Sequence, residues 1–279
     1  MDKDVFQTIA DHRRRGLDGV VVTVVAKEGE GPAEVGKKMV VCETGERLGT
    51  VGGGALELAA IRYAETLLRE RRHGLQRYAL TDGKVVEDAK SLPMVCGGVV
   101  TLFFEFSGVA RHVYLFGAGH VSRALANVLK TMNFHLTVID ERRAVVEAFA
   151  PADRLVHRGF ADFITDEGIR KDAFVVVCTP NHKSDYHVIN KIIELKLEPA
   201  YVGMLCSPEK LADYLEKTYA KFGNDIPLGF LYSPVGLDLG GGSPEEIAIS
   251  ITSELLALHH GKKGHRHMRE NIDDHHRYW

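Results

Sequence analysis

The chain has 279 residues, 45% of them hydrophobic and 26% charged, and a formal net charge of −3. That length supports two cores, since single domains run to about 100–200 residues, and the balance is that of a globular protein rather than a disordered or fibrous one. A weakly acidic chain is not a general nucleic-acid binder, and apolar runs such as Val20–Val25 and Val99–Phe104 are far shorter than the roughly 20 residues a membrane helix needs.

Along the chain, "VVVTVV" at 20–25 is short and β-branched and predicts a buried strand. The loop "AKEGEGPAEVGKK" follows, then Met39–Cys42, the turn Glu43-Thr44-Gly45-Glu46 and Leu48–Val51, which together read as a hairpin. Gly52, Gly53 and Gly54 lead into a helix whose apolar positions Leu56, Ala60, Ala64, Leu67 and Leu68 recur at helical spacing, with arginines in its last turn to suit the dipole. Two further strands, Gln76–Leu80 and Val99–Phe106, flank a loop that carries Cys96.

After Ser107-Gly108 the pattern becomes strand–helix alternation, which predicts a parallel sheet with covering helices. Strands are expected at 112–116, 135–139, 154–156, 174–178, 200–202 and 230–232, with helices near 121–132, 142–149, 185–195, 208–221 and 244–259. The last helix carries the strongest signals: an S-x-x-E capping box of Ser243 and Glu246, Pro244 at the first helical position and Gly261 past the end. The expected organisation is an N-terminal mixed α/β domain over 1–108, a second α/β domain over 109–261, and a polar, histidine-rich tail over 262–279.

The segment from His112 to Arg142 contains a strand, the turn Gly117-Ala118-Gly119-His120, an amphipathic helix, a second strand and Asp140 at its end. In a dinucleotide-binding fold the first glycine permits the tight turn and the second lets the backbone approach a pyrophosphate. An acid about 20 residues on then bonds a ribose hydroxyl. A Rossmann-type doubly wound sheet is therefore expected, with Gly117, Gly119, His120 and Asp140 as cofactor contacts and the carboxylate favouring NAD over NADP. Ser122 takes the place of the third glycine. The same sheet edge should present the loop Cys178–Lys183, where His182 is either a ligand contact, an acid or base, or a plain loop residue. Two more strand-end loops, around Gly203 and around Asp238, lead into helices and offer glycines to an approaching phosphate or pterin-like ring.

The four cysteines, Cys42, Cys96, Cys178 and Cys206, show no C-x-x-C pairing, and no signal-like segment precedes them, so reduced thiols in the cytoplasm are expected. Cys96 stands out. In "SLPMVCGGVV" it sits between a proline-bearing loop and Gly97-Gly98, a setting that suits a thiol meeting a ligand, against the plainer reading of a small residue packed before a strand. The tail histidines His265, His267, His275 and His276, with His259 and His260, offer metal ligands without the tight spacing of zinc sites.

Seven ordered motifs carry a resemblance over nearly the whole chain. They are Val35-Gly36-Lys37-Lys38-Met39, "GTVGGGALE" (49–57), Cys96-Gly97-Gly98, "FGAGHVSRAL" (116–125), "TPNHKSDYHVI" (179–189), "YVGMLCSPEK" (201–210) and "PVGLDLGGGSPEEIAISI" (234–251). Together they resemble the XdhC/CoxI family, accessory proteins of xanthine dehydrogenase and related molybdenum hydroxylases. The resemblance implies an XdhC/CoxI-type N-terminal domain followed by a Rossmann domain. It further implies a largely non-catalytic chaperone that binds molybdenum cofactor (molybdopterin), protects it and delivers it to an apo molybdenum hydroxylase.

It also implies a link to cofactor sulfuration with a cysteine desulfurase as donor, and a homodimer. The family's C-G-G cysteine falls on Cys96, which would meet the molybdenum as a soft thiolate, with Gly97, Gly98, Gly52, Gly53 and Gly54 giving a bulky pterin room. Two departures are visible: the loop Gly29–Glu34 lacks the family's usual arginines, and Cys206 replaces a common glycine. The alternatives are an NAD(P)-dependent oxidoreductase acting on a small molecule and a metal-binding regulator built on the histidine tail.

Overall fold

The computed structural model describes residues 4–81, 86–94 and 97–262. The chain divides into two compact units, Met1–Ala110 and Arg111–Trp279, each built on a six-stranded sheet.

The first unit opens with α1 (Val5–Arg14), a helix that its few apolar residues leave unannounced. Its signals are terminal: Asp4 caps it by accepting from the Gln7 N–H, and His12, Arg13 and Arg14 fill its last turn. Then come β1 (Gly19–Glu28), β2 (Lys38–Cys42), β3 (Arg47–Gly49), α2 (Gly54–Glu70), β4 (Gly74–Ala79), β5 (Ala89–Ser91) and β6 (Val99–Ser107). The strand order is β3-β2-β1-β6-β4-β5, antiparallel except where β5, a further element outside the expected pattern, lies parallel to β4.

Both faces of β1 are covered, which explains an apolar run without polar alternation. Val20, Val22 and Val24 pack with Leu56, Ala60, Ala64 and Leu67 of α2, while Val21 belongs to a smaller cluster with Val5 and Ile9 of α1.

The second unit alternates β7 (Arg111–Phe116), α3 (His120–Leu129), β8 (Phe134–Asp140), α4 (Arg143–Glu147), β9 (Arg154–His157), α5 (Phe160–Glu167), β10 (Phe174–Val177), α6 (His182–Glu194), β11 (Tyr201–Met204), α7 (Pro208–Phe222), β12 (Leu231–Tyr232) and α8 (Pro244–His259). The sheet runs β12-β11-β10-β7-β8-β9 and every pairing is parallel. Counting strands within the unit, this is the 3-2-1-4-5-6 order of a doubly wound dinucleotide-type sheet, and its order reverses between β7 and β10. The short α5 is absent from the sequence expectation, yet a parallel sheet needs a crossover there. No helix among the described residues is long and apolar enough to cross a membrane.

The capping box on α8 forms as the sequence predicts. Ser243 Oγ accepts from the Glu246 N–H at 3.2 Å, and Glu246 Oε2 accepts from the N–H groups of Ser243 and Gly242, each at 2.9 Å. Ser243→Ala is expected to lower stability by about 1 kcal/mol, measured as a shift in denaturant midpoint. An unchanged midpoint would mean that the two bonds to Glu246 cap the helix alone.

Candidate functional site

The carboxyl edge of the parallel sheet is organised by the turn after β7. Gly117 has φ +104, and a Cβ there would fall well under 3.0 Å from the carbonyl oxygen of Cys178, so β7 and the end of β10 meet backbone to backbone. Gly119 is the N-cap of α3, provides no side-chain cap, and has no protein atom within 4 Å of where a Cβ would stand. Packing does not require glycine at 119. The open space leaves the helix N-terminus, with its partial positive charge, accessible to an anion.

Ser122, in the third-glycine position, is fully buried. Its Oγ donates to the Gly117 carbonyl at 2.5 Å and lies 2.8 Å from Cys178 Sγ, tying the helix to the turn and to the next strand end.

Asp140 ends β8 as expected, but its side chain faces inward and is fully buried. Its Oδ2 accepts from the Ala118 N–H at 2.8 Å and from Arg142 Nη2 at 2.7 Å; its Oδ1 accepts from the Arg142 N–H and Nε, both at 2.9 Å. Burial alone would raise its pKa, but the bonds from Arg142 and Ala118 outweigh it and hold the carboxyl below the usual range. Asp140 therefore secures the glycine turn and Arg142 rather than presenting a free oxygen. Beside it a cleft of about 400 Å³ is lined by Ala118, Gly119, His120, Arg123 and Arg142, and by Ala144, Val145 and Ala148 in and just after α4. Neither arginine was singled out from the sequence, although Arg142 stands two residues past the fingerprint acid.

The other expected residues of this unit are distributed around the same edge. Burial pushes the Cys178 thiol up to about 11, so it remains protonated and unreactive at neutral pH. In the loop that follows, the buried Asp185 accepts from the Thr179 N–H at 2.9 Å and from Thr179 Oγ1 at 2.6 Å, and Asn181 caps α6. His182 is exposed at the start of α6, edge-on to Tyr186, in a groove that also contains Lys183, His187, Lys217 and Lys221.

Gly203 lies buried within β11. A Cβ there would overlap the Tyr201 hydroxyl and Val235, so packing accounts for the glycine. Asp238 is exposed in the loop before α8, and Cys206 Sγ lies 3.0 Å from Ser233 Oγ at the edge of the core.

In the first unit the structure brings together motifs far apart in sequence. Gly52, Gly53 and Gly54 all have positive φ, at 136°, 73° and 59°, and turn the chain into α2 with Gly53 as an N-cap that offers no side chain. Met94 Cε comes within 4.0 Å of a Cβ position on Gly54, and Gly52 packs on the backbone of Ala33. Gly98 lies against the backbone of Glu28 and Glu30, while Gly97 is exposed with open space beside it. The N–H of Gly97 donates to the Leu80 carbonyl at 2.9 Å, and the Leu80 N–H donates to that of Gly98 at 2.8 Å. Thus the glycine turn, the 29–33 loop and both flanks of the Cys96 loop converge. Cys96 itself lies outside the described residues, as do the tail histidines from His265 onward. Among the described residues no group of three or more His, Cys, Asp or Glu side chains is arranged to hold a metal ion.

A 3-2-1-4-5-6 sheet whose glycine turn opens on a cleft lined by two arginines defines a Rossmann-type domain, here joined to a mixed α/β unit with its own glycine turn. The family model described as the XdhC Rossmann domain matches residues 113–255, and that of the XdhC and CoxI family matches residues 12–79. The chain belongs to the XdhC and CoxI family.

It is 29% identical over 265 residues to the uncharacterized protein YqeB of Escherichia coli (strain K12), a match covering 94% of this chain and 47% of YqeB. It is also 31% identical over 144 residues to a probable xanthine dehydrogenase subunit of Bacillus subtilis (strain 168), covering 51% of this chain and 41% of that protein. The chain thus spans about half or less of these relatives' length. A solved structure of a xanthine dehydrogenase from Bacillus halodurans overlays with a TM-score of 0.49 at 22% identity, covering 93% of this chain and 96% of that one.

Proposed function

We propose that this chain is an accessory protein that binds molybdenum cofactor, protects it, assists its sulfuration and hands it to a xanthine dehydrogenase-type molybdenum hydroxylase. The observation that carries this reading is the approach, in the first unit, of the Gly52–Gly54 turn to Met94 and, through the loop at 29–33, to Gly98, residues that bracket Cys96 in the sequence. Family membership supports it, and so does the name borne by the Bacillus subtilis relative, which supports a hydroxylase partner of this class. A cysteine desulfurase as sulfur donor and self-association as a homodimer belong to the same reading.

The residues fit such a cargo. Among the described residues, Gly53 and Gly97 have no protein atom within 4 Å of a Cβ position, and α2 starts without a side-chain cap, so this turn leaves room for a bulky ring. Cys96 would meet the metal end through its thiolate, and the glycine turn would accept the pterin without side-chain overlap. When bound, the cofactor supplies the redox centre that the receiving enzyme uses; the role of this chain is to hold and release it.

Anaerobic titration of the purified protein with molybdopterin cofactor should give saturable binding. Cys96→Ser should weaken it by about tenfold or more, the scale on which metal sites respond to loss of a supporting group. Equal binding by the serine variant would remove the thiol from the mechanism, and absence of binding by the parent protein would remove the reading itself.

The strand order and the cleft beside Gly119 favour a second reading, an NAD(P)-dependent oxidoreductase. Against it, Asp185 is engaged by Thr179 and Cys178 stays protonated, so these two neighbours of the sheet edge supply neither a free base nor a nucleophile.

A further inference from the structure

The cleft at the first turn of the Rossmann unit carries an inference about its ligand that is independent of the first unit. In dinucleotide sheets the acid at the end of the second strand accepts hydrogen bonds from the two ribose hydroxyls, which requires free carboxylate oxygens. Asp140 has none to give: a carboxylate offers about four acceptor positions, and Ala118 N, Arg142 N, Arg142 Nε and Arg142 Nη2 take them in a fully buried setting. The pairing leaves Nη1 of Arg142 uninvolved, on a side chain that is 47% exposed at the cleft mouth.

Arg123 lines the same cleft, with its guanidinium 5.3 Å from the centre of the Phe149 ring, and among the described residues no carboxylate pairs with it. His120 and the open N-terminus of α3 stand alongside, while Ala144, Val145 and Ala148 form a wall of small apolar side chains. Arg142 is neutralised by Asp140, so the cleft has one uncompensated guanidinium and the positive end of a helix facing its solvent opening. A neutral ribose diol would satisfy neither. A phosphate monoester dianion would satisfy both, since guanidinium groups bind phosphate oxygens in fork geometry.

We propose that this cleft binds the phosphate monoester of a ligand with a planar heterocycle, the phosphate lying between Arg142 and Arg123 and the ring against Ala144, Val145 and Ala148. Arg142 and Arg123 are the binding residues; Asp140 is a positioning residue that aims Arg142. Two sources share this chemistry: the 2′-phosphate of an NADP-type dinucleotide and the terminal phosphate of a pterin cofactor.

The test is a set of calorimetric titrations of the full chain with NADP⁺, NAD⁺ and molybdopterin, for the parent protein, Arg142→Gln and Arg123→Gln, with circular dichroism to confirm folding. The expected result is that NADP⁺ or molybdopterin binds, and that each glutamine variant weakens it by about tenfold or more, the scale of one charge-assisted contact. NAD⁺ should bind more weakly than NADP⁺ by a similar factor if the dinucleotide is the source. Displacement of NADP⁺ by molybdopterin would assign the site to the pterin, and failure to displace would assign it to the dinucleotide.

Asp140→Asn separates positioning from folding: it should narrow the preference for the phosphorylated ligand while circular dichroism is unchanged. Equal affinity for NADP⁺ and NAD⁺ together with glutamine variants that bind molybdopterin as the parent does would overturn the proposal, as would no binding of either phosphorylated ligand. Because Cys96 lies in the other unit, Cys96→Ser leaves this cleft intact, so failure of the cofactor-delivery reading and failure of this one give different results.

Discussion

Gly117→Ala is expected to destabilise the Rossmann unit by about 3–5 kcal/mol, the sum of backbone strain and an overlap that cannot relax. That is a large share of the roughly 5–15 kcal/mol that keeps a domain folded. The backbone at φ +104 lies where side chains with a Cβ are strained, and the added methyl would meet the Cys178 carbonyl. Neither neighbour is free to yield. The Gly117 N–H donates to the Ile139 carbonyl at 2.9 Å and its own carbonyl receives Ser122 Oγ, while the Cys178 N–H donates to the Phe116 carbonyl at 3.0 Å. Chemical denaturation followed by circular dichroism measures the loss.

Gly119→Ala provides the contrast. Its φ is −79°, no protein atom among the described residues lies within 4 Å of a Cβ, and its stability should fall by no more than about 1 kcal/mol, the cost of alanine at an N-cap. Its cost should appear in ligand binding, because the methyl occupies the approach to α3. Equal loss of stability in the two variants would contradict the division between a glycine held for the fold and one held for a ligand.

Arg71→Ala should destabilise the first unit by about 3–5 kcal/mol, the range seen when one partner of a buried ion pair is removed. Arg71 follows α2 at φ +52. Its guanidinium donates to the Asp18 carboxylate and to the Val109 carbonyl and lies 5.2 Å from the centre of the Phe106 ring. The Asp18 side chain is only 5% exposed, so the loss of the arginine removes positive charge from beside a buried carboxylate. Arg71→Lys keeps the charge but not the fork that reaches both oxygens, and should fall between parent and alanine variant. Denaturant midpoints for the three proteins decide the matter; identical values for lysine and alanine would show that charge at this position contributes nothing.

The glycine motif of the Rossmann unit illustrates how much a linear reading can reach. "GAGHVS" predicted the turn, the helix after it and an acid at the next strand end, and these are where the pattern puts them. The role of the acid was not legible. Whether a carboxylate faces a ligand or its own backbone depends on which way the chain turns after β8, and here Arg142 folds back onto Asp140. The same holds in the first unit. "GTVGGGALE" and "MVCGG" are separately readable as turns before a helix and a strand, yet nothing in either says that Met94 reaches Gly54. Two helices, α1 and α5, are not legible in the sequence because one has few apolar residues and the other is only eight residues long.

Local chemistry was therefore enough for the parts whose free energy is local: β-branched runs as strands, Ser243–Glu246 as a cap, and glycine turns at strand ends. It was enough, too, for family membership, because the ordered motifs are themselves local. The strand order β12-β11-β10-β7-β8-β9, the pairing that saturates Asp140, the cleft shared by Arg123 and Arg142, and the meeting of the Gly52–Gly54 turn with Met94 and Ala33 came from the tertiary structure. Each depends on groups distant in sequence competing for the same hydrogen bonds or the same volume, and that competition is settled only when the chain has folded.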